Sequence, residues 1–299
     1  MFPMYHVATT LRILVAGTLG VVALGATHAA PGPEDIPWRL DHATVVVRNL
    51  AAARADFERL GFAFKAGRIH RNSIDNAHMK FPDGTELELI TASEPRDALA
   101  RRYVELLRSG EGGAFFAMRA DSVAGVLAAL RRYDPSLKAD TVGSYIDIDD
   151  PPGWNLPELF VMRYLTPPVD SAHHHAHPNG AFALRALWLK RDSADRADLS
   201  AFDLRPLAVN SAPLERPGVR AARFAGGSEL YVLPAMPRDS GVTRIIGVTI
   251  LVRDAARAAE LLQQRVHQPF TVRHSPRGRL VLVPPELTHG IWLELLEAR

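Results

Sequence analysis

The strongest constraint on the fold is a pattern of one strand, one helix and three further extended segments that recurs along the 299-residue sequence. The first copy opens with a β-branched stretch at residues 43–47 and continues with a helical apolar period from about Leu50 to Leu60, which Gly61 ends. Extended segments follow in "NAHMKF" and, past the turn "PDG", in "TELELI". The unit is therefore predicted to be β-α-β-β-β.

Three more copies of this unit follow in order. In the last copy, "GVTILVRDAARA" corresponds to "HATVVVRNLAAA" of the first, and "LELL" corresponds to "LELI". The second copy runs from "GAFFAMRADSVAGVLAALRRY" to "LPELFVMRY", and the third from "RALWLKRDSADRADLSAFDL" to "GSELYVLP". Ordered repetition of this kind indicates an architecture built by duplication of one module.

The number of modules predicts how they assemble. A single module has an apolar sheet face that it cannot cover alone, so modules must pair, with their sheets curling around a shared cleft. We therefore predict an α+β fold in which four βαβββ modules form two tandem paired-module domains, at residues 38–166 and 181–299.

The segment 167–180 between the two predicted domains contains prolines, an Asn-Gly pair and four histidines, His173, His174, His175 and His177. Nothing in a flexible segment holds these imidazoles in one geometry, so ordering them around an ion costs conformational entropy. We interpret the segment as a His/Pro-rich linker. The alternatives are a metal site and a fold-back of His177 and Asn179 over the mouth of a cleft.

The N-terminus has the order of a secretory signal peptide. Arg12 precedes an apolar run from Ile13 to about Ala26, and small residues and prolines come next. The run is shorter than a bilayer core requires, which disfavours a permanent span. We predict a signal peptide at residues 1–29, cleaved after Ala29, and a periplasmic or secreted protein; an uncleaved anchor is the alternative.

Composition limits the partners. The chain has 35 Lys and Arg against 33 Asp and Glu, without a basic stripe, so a nucleic-acid partner is not expected. The absence of cysteine excludes disulfides, thiolate nucleophiles and thiolate metal ligands, and leaves His, Asp and Glu as the strong ligand types. We expect a small-molecule ligand, no stable membrane span after signal removal, and a monomer or homodimer.

The motifs "LDHATVVVRNL" and "DGTELELI" resemble the glyoxalase, bleomycin-resistance and extradiol-dioxygenase superfamily, the vicinal oxygen chelate proteins, and in particular their glyoxalase-like domains. The resemblance covers nearly all of residues 38–299. It implies that each cleft holds a divalent metal, Zn, Fe, Mn or Ni, through a His near the start of the first strand and a Glu in the last strand of both modules of a pair.

Only the first module carries both of the ligands that the resemblance implies, His42 and Glu88. The matching positions of the other three modules carry Ala114 and Phe160, then Arg185 and Tyr231, then Gly247 and Glu294. We therefore expect one candidate site, in the N-terminal domain, with half of the usual ligand set.

A third ligand is available on the strand "NAHMKF", where the two-residue period puts Asn76 and His78 on one face, with His70 just before it. We predict a metal site of His42, His78 and Glu88, with Glu88 also the candidate catalytic residue. The alternative is a metal-free cleft in which His78 bonds within the sheet and His42 pairs with Glu88.

Other residues near this strand are candidates for substrate contact. We predict that Asn76, Arg68 and Phe160 line the substrate site. Arg68, Arg71 and Lys80 could receive a carboxylate or phosphate, but we interpret them first as solvated surface cations. Glu86, which alternates with Glu88, is interpreted as marking the wet face of the strand.

These observations leave the class of function open. An enzyme of this kind would perform metal-assisted lyase, dioxygenase or isomerase chemistry on a small oxygenated substrate, with the ion polarising a carbonyl or enolate. A non-catalytic small-molecule binder would use the same cleft without metal. A third alternative is a structural protein whose clefts are filled by side chains.

Overall fold

The computed structural model describes residues 10–15, 39–119, 122–131, 135–136, 139–142, 145–149, 159–164, 169–191, 205–206, 219–223, 227–234 and 245–298. In chain order its elements are β1 (Thr10–Val15), β2 (Arg39–Val46), α1 (Leu50–Arg59), β3 (Lys65–Ala66), β4 (Ile74–Lys80), β5 (Glu86–Ala92), α2 (Ala98–Ser109), β6 (Gly112–Arg119), α3 (Val123–Leu130), β7 (Ala139–Val142), β8 (Tyr145–Asp149), β9 (Leu159–Arg163), β10 (Ala181–Arg191), β11 (Arg205–Pro206), β12 (Arg220–Arg223), β13 (Glu229–Pro234), β14 (Ile245–Val252), α4 (Ala255–Val266), β15 (Arg273–Ser275), β16 (Gly278–Val283) and β17 (Trp292–Ala298).

The four modules share one pairing rule, which confirms the predicted α+β fold. In each module the first strand lies parallel to the last, in the pairs β2–β5, β6–β9, β10–β13 and β14–β17. The helix between the first two strands makes this parallel return possible, because parallel strands need a long crossover connection. The helix predicted for the third module falls on residues outside the described ranges.

The modules pair through their first strands. β2 runs antiparallel to β6, and β10 runs antiparallel to β14. One sheet therefore has the order β3-β4-β5-β2-β6-β9-β1-β8-β7, in which β1 of the N-terminal segment lies between β9 and β8. The other has the order β11-β12-β13-β10-β14-β17-β16-β15, and a pairing of β14 with β6 connects the two.

The main core lies on the helix side of both sheets and joins the two halves of the molecule. Leu87 and Leu89 of β5 belong to the same buried cluster as Val248 and Ile250 of β14, together with Phe57 of α1. Each fully buried Leu or Phe side chain stabilises the fold by roughly 1.5–3 kcal/mol relative to an exposed one. The opposite face of each sheet is thereby left to form a separate environment.

The linker packs against the first module. His177 is buried and accepts the N–H of Ala63 at Nδ1, 2.9 Å away, while its Nε2 lies 2.8 Å from the carbonyl oxygen of Lys80. Burial lowers the pKa of His177. Asn179, also buried, donates to the carbonyl oxygen of Leu60 at 3.0 Å. These contacts hold the end of α1, so the two residues carry structural bonds at that point.

The three other linker histidines lie on a short 3-10 turn, Ala172–His175, and each remains partly or fully solvent-exposed. No helix in the described part of the chain combines the length and the apolarity that a bilayer crossing requires.

Candidate metal centre

Three neighbouring strands of the first module, in the order β2-β5-β4, present their polar side chains on one face. Strand register places Glu88 directly opposite His78 and Glu86 directly opposite Lys80. On the other side of β5, His42 is aligned with Glu86. Because directly opposed residues share a face of the sheet, these five side chains point to the same side, away from Leu87 and Leu89.

A β-bulge in β2 turns two successive residues toward this face. Leu40 pairs with Met118 and His42 pairs with Ala117, so Asp41 is the extra residue of the bulge. Leu40 and Ala43 both lie in the main core, although a regular strand would put them on opposite faces. The bulge resolves this conflict and lets Asp41 and His42 both face the site, which is the usual effect of a bulge beside a functional site.

One imidazole and two carboxylates are close enough to hold a common ion. His78 Nδ1 lies 3.3 Å from Glu86 Oε1 and 3.8 Å from Glu88 Oε1. One ligand atom from each of these residues lies within 4.8 Å of the other two. Ligand atoms at about 2.1 Å from a tetrahedral ion are about 3.4 Å apart, so this spacing fits a zinc-like ion.

His42 approaches the same carboxylates from the other neighbouring strand. Its Nε2 lies 3.7 Å from Glu88 Oε2, and its Nδ1 lies 3.9 Å from Glu86 Oε1. Burial alone would lower the pKa of His42, but Asp41, Glu88 and Glu86 outweigh it and raise the pKa to about 9. His42 and His78 thus each approach Glu88, while the residues whose ligand atoms all lie within 4.8 Å of one another are His78, Glu86 and Glu88 and do not include His42.

Glu86 and Lys80 form a buried ion pair inside the site, contrary to both interpretations made from the sequence. Glu86 is only 4% exposed, so it does not mark a wet face, and Lys80 is 9% exposed, so it is not a solvated surface cation. Burial opposes the charge on both residues, but their mutual attraction raises the pKa of Lys80, and His78 and Lys80 lower that of Glu86. The two-residue period had already put Glu86 on the face of Glu88.

Asn76, which was predicted to line the substrate site, is buried and bonds to Glu88. Its Oδ1 accepts the backbone N–H of Arg68 at 3.0 Å, and its Nδ2 donates to Glu88 Oε1 at 2.6 Å. A Cβ at Gly67 would lie 2.0 Å from Asn76 Oδ1, so only glycine allows this close approach. His70 Nε2 lies 3.4 Å from Asn76 Nδ2, and burial together with the nearby Arg68 lowers the pKa of His70.

Arg68 and Phe160 are the other two residues that the sequence predicts to contact the substrate. The Arg68 side chain is exposed beside the site, as is that of Arg71. Phe160 lies on β9 opposite Ala117, and its side chain falls outside the described residues.

The second module contributes a residue that sequence reasoning missed. The hydroxyl of Tyr164, which directly follows β9, donates to Asp41 Oδ2 at 2.7 Å. Burial and the negative charge of Asp41 raise the pKa of Tyr164 far above its usual value, so the hydroxyl keeps its proton. Nothing in the local pattern around Tyr164 indicates this contact, because it joins residues 123 positions apart.

Helix α2 covers the other end of the same face. Val46, Ile74, Ile90 and Phe115 pack against Leu99, Ala100 and Tyr103 of α2 in a separate buried cluster. Ala114, the second module's counterpart of His42, lies in this cluster too. The face is therefore apolar and covered at the α2 end, and ionised at the end where the His78 side chain is 20% exposed.

The corresponding face of the second half is built differently. A Cβ at Gly247 would lie 2.5 Å from Cε3 of Trp188, so no imidazole fits there. Arg277 donates to both oxygens of Glu294, at 2.7 and 2.6 Å, and Thr249 donates to Glu294 Oε1 at 2.9 Å. The carboxylate that matches Glu88 is thus neutralised by a guanidinium.

The sequence profile of the glyoxalase-like domain family matches residues 40–201 of the chain, which is more than half of its length. This range contains all residues of the candidate metal centre. A search of curated protein sequences finds no match.

Solved structures extend the likeness over both halves. A hypothetical protein from Staphylococcus aureus superposes with a TM-score of 0.57 at 9% identity, covering 87% of this chain and 99% of that one. A xylose isomerase-like TIM barrel/4-hydroxyphenylpyruvate dioxygenase fusion protein gives 0.60 at 12% identity, over 87% of this chain and 48% of that one. A mutant of 4-hydroxymandelate synthase from Streptomyces coelicolor gives 0.59 at 15% identity, over 88% and 93%. At such identities the likeness shows a shared fold.

Proposed function

The chain belongs to the glyoxalase-like domain family, and we propose that its N-terminal half binds one divalent metal ion and acts on a small oxygenated substrate. The observation that carries this proposal is the convergence of His78, Glu86 and Glu88 within 4.8 Å of one another. His42 completes the set from β2, with Nε2 directed at Glu88. Two imidazoles with carboxylates suit Zn, Fe, Mn or Ni.

When bound, such an ion would act as a Lewis acid toward a substrate oxygen. Glu88 is oriented on both sides, because Asn76 donates to Oε1 while Oε2 faces the His42 ring. It is therefore placed to hold the ion with one oxygen and to accept a substrate proton at the other. Lys80 holds Glu86 in place, which fixes the second carboxylate without any substrate contact.

The shape of the site limits the substrate. Since α2 covers the apolar end of the face, a ligand can use only the ionised end around His78. This favours a compact, oxygen-rich molecule over an extended apolar one. Metal-assisted lyase, dioxygenase or isomerase chemistry would suit such a substrate.

The second candidate function is a metal-free binding protein, and one observation favours it. The carboxylates Asp41, Glu86 and Glu88 are matched in number by the bases His42, His78 and Lys80, so the cluster is charge-compensated without an ion. Because α2 fills the apolar end, the ligand of such a protein would also be polar.

Metal analysis of protein purified without a histidine tag tests the proposal. We expect one tightly held divalent ion per chain, lost in His78→Ala and in Glu88→Gln. Glu294→Gln is the matched control, because it changes the equivalent carboxylate of the second half and should leave the ion content unchanged. Absence of a stoichiometric ion from the wild-type protein, after exposure to zinc or iron(II), would exclude the metal-dependent function and support the binding protein.

We also propose that the protein is exported, on the strength of the N-terminal segment. Cleavage after Ala29 would remove β1, which lies between β8 and β9, so these two strands of the second module would then have to pair directly.

A further inference from the structure

We propose that Asp41 is a positioning residue for His42, and that Tyr164 of the second module holds Asp41 in that role. The second module would then serve the centre without supplying a ligand. The inference rests on the proposed function in one respect, which is that His42 belongs to the centre.

The β-bulge in β2 places the carboxylate of Asp41 in a buried position, where the side chain has no solvent exposure. Burying a charge without partners is costly, so a position like this persists only where the charge interacts with other groups. Among the described residues, the hydroxyl of Tyr164 and the ring of His42 lie next to Asp41.

Asp41 and His42 each have a buried polar atom available for a hydrogen bond. Among the described residues, neither His42 Nδ1 nor Asp41 Oδ1 has a hydrogen-bond partner, and Nδ1 lies 3.7 Å from the other oxygen of the same carboxylate, Asp41 Oδ2. A buried polar atom without a partner is unfavourable, so a small side-chain rotation that joins the two groups is favoured. The ring then donates its Nδ1 proton to Asp41.

That hydrogen bond determines which nitrogen serves the centre. With Nδ1 donating to Asp41, Nε2 remains directed at Glu88, from which it is 3.7 Å away. Histidine ligands usually donate their other ring N–H to a carboxylate or carbonyl, which fixes both the tautomer and the ring orientation. Asp41 is suitably placed for this, on the side of the ring away from Glu88.

Tyr164 fixes the carboxylate in turn. Its hydroxyl donates to Asp41 Oδ2 at 2.7 Å, which holds the carboxylate beside the His42 ring and leaves Oδ1 free to accept. Because Tyr164 follows the last strand of the second module, this bond also ties the two modules together at the centre. The second module thus supports the centre through Tyr164, although its residues Ala114 and Phe160 supply no metal ligand.

Competition titrations with zinc(II) and cobalt(II), against a chromophoric chelator, test the inference on untagged protein. Asp41→Asn keeps the size of the side chain but weakens its acceptor, and we expect metal affinity to fall about 10–100-fold. Tyr164→Phe should weaken it less and in the same direction. The matched control is Tyr231→Phe, which removes a similar hydroxyl, 2.9 Å from Glu229 Oε2 in the second half, and should bind metal as the wild type does.

A second readout separates failure of this inference from failure of the proposed function. In metal-free protein labelled with ¹⁵N, the His42 ring signals are identified by their loss in His42→Gln. We expect a slowly exchanging Nδ1 proton in the wild type that exchanges fast in Asp41→Asn or, should that variant not fold, in Tyr164→Phe. If the wild type binds no metal but shows this proton, only the metal proposal is wrong. Wild-type affinity and an unchanged proton in both variants would overturn the positioning role, whatever their melting temperatures.

Discussion

The second half predicts a stability effect that can be worked out from its geometry. Arg277 and Glu294 form a two-bond ion pair in which the Glu294 side chain is 2% exposed and that of Arg277 is 17% exposed. Arg277→Met would leave the carboxylate buried with Thr249 as its remaining side-chain donor. Removing one partner of a buried pair costs about 3–5 kcal/mol, and we expect the free energy of unfolding to fall by that amount.

The assay is urea unfolding followed by tryptophan fluorescence, since Trp188 is buried beside this pair. Arg279→Met is the matched control. Arg279 also reaches both oxygens of a carboxylate, that of Glu297, but its side chain is 40% exposed, so we expect a much smaller loss of stability than in Arg277→Met.

A double variant tests the reasoning itself. In Arg277→Met with Glu294→Gln, the buried charge is gone and the amide oxygen can still accept from Thr249, so most of the lost stability should return. The reasoning would be refuted if Arg277→Met cost no more than Arg279→Met, or if the double variant were as unstable as Arg277→Met alone.

Three further predictions concern the linker, the contact between the halves and the N-terminus. Asn179→Ala leaves two buried backbone groups without partners and should lower the free energy of unfolding by about 2–4 kcal/mol in the same urea assay. Partial burial of Glu111 opposes ionisation, but the N–H of Arg48 and the ring of His289 outweigh this effect and lower its pKa. The stabilising effect of the Glu111 carboxylate is therefore complete above its ordinary pKa of 4.5 and is lost as pH falls through the folded-state value. Urea unfolding from pH 7 to pH 3 should show a steeper loss of stability for the wild type than for Glu111→Gln. Amino-terminal sequencing of protein recovered from an exporting bacterial host should begin at Ala30, and an intact N-terminus there would contradict cleavage.

The fold could be predicted because it depends on short-range periodicity, whereas His42 and Glu88 were proposed as ligands because the family resemblance implied them. The alternation of β5 puts Leu87 and Leu89 on one face and Glu86 and Glu88 on the other, and His42 of the parallel first strand is in register with Glu86. For the same reason the first helix, predicted from Leu50 to Leu60, is observed as Leu50–Arg59.

What the sequence did not reveal depends on irregular or long-range structure. The role of Asp41 requires a bulge that breaks the two-residue period, and that of Tyr164 requires a contact across two modules. Lys80 and Glu86 were misinterpreted because an alternating charged strand has the same pattern whether its charges meet water or each other. Helix α2 was missed because it lies outside the repeat on which the prediction was based.

The most direct test of the metal centre is a crystal structure of untagged protein soaked in zinc, with anomalous data collected on both sides of the zinc edge. We predict one strong anomalous peak in the first half, about 2.0–2.2 Å from ligand atoms of His78, Glu86 and Glu88. His42 Nε2 should point at the same peak. A map with no peak there, or with zinc only at the linker histidines, would contradict the account and leave Lys80 and His42 as the permanent counter-ions of the two glutamates.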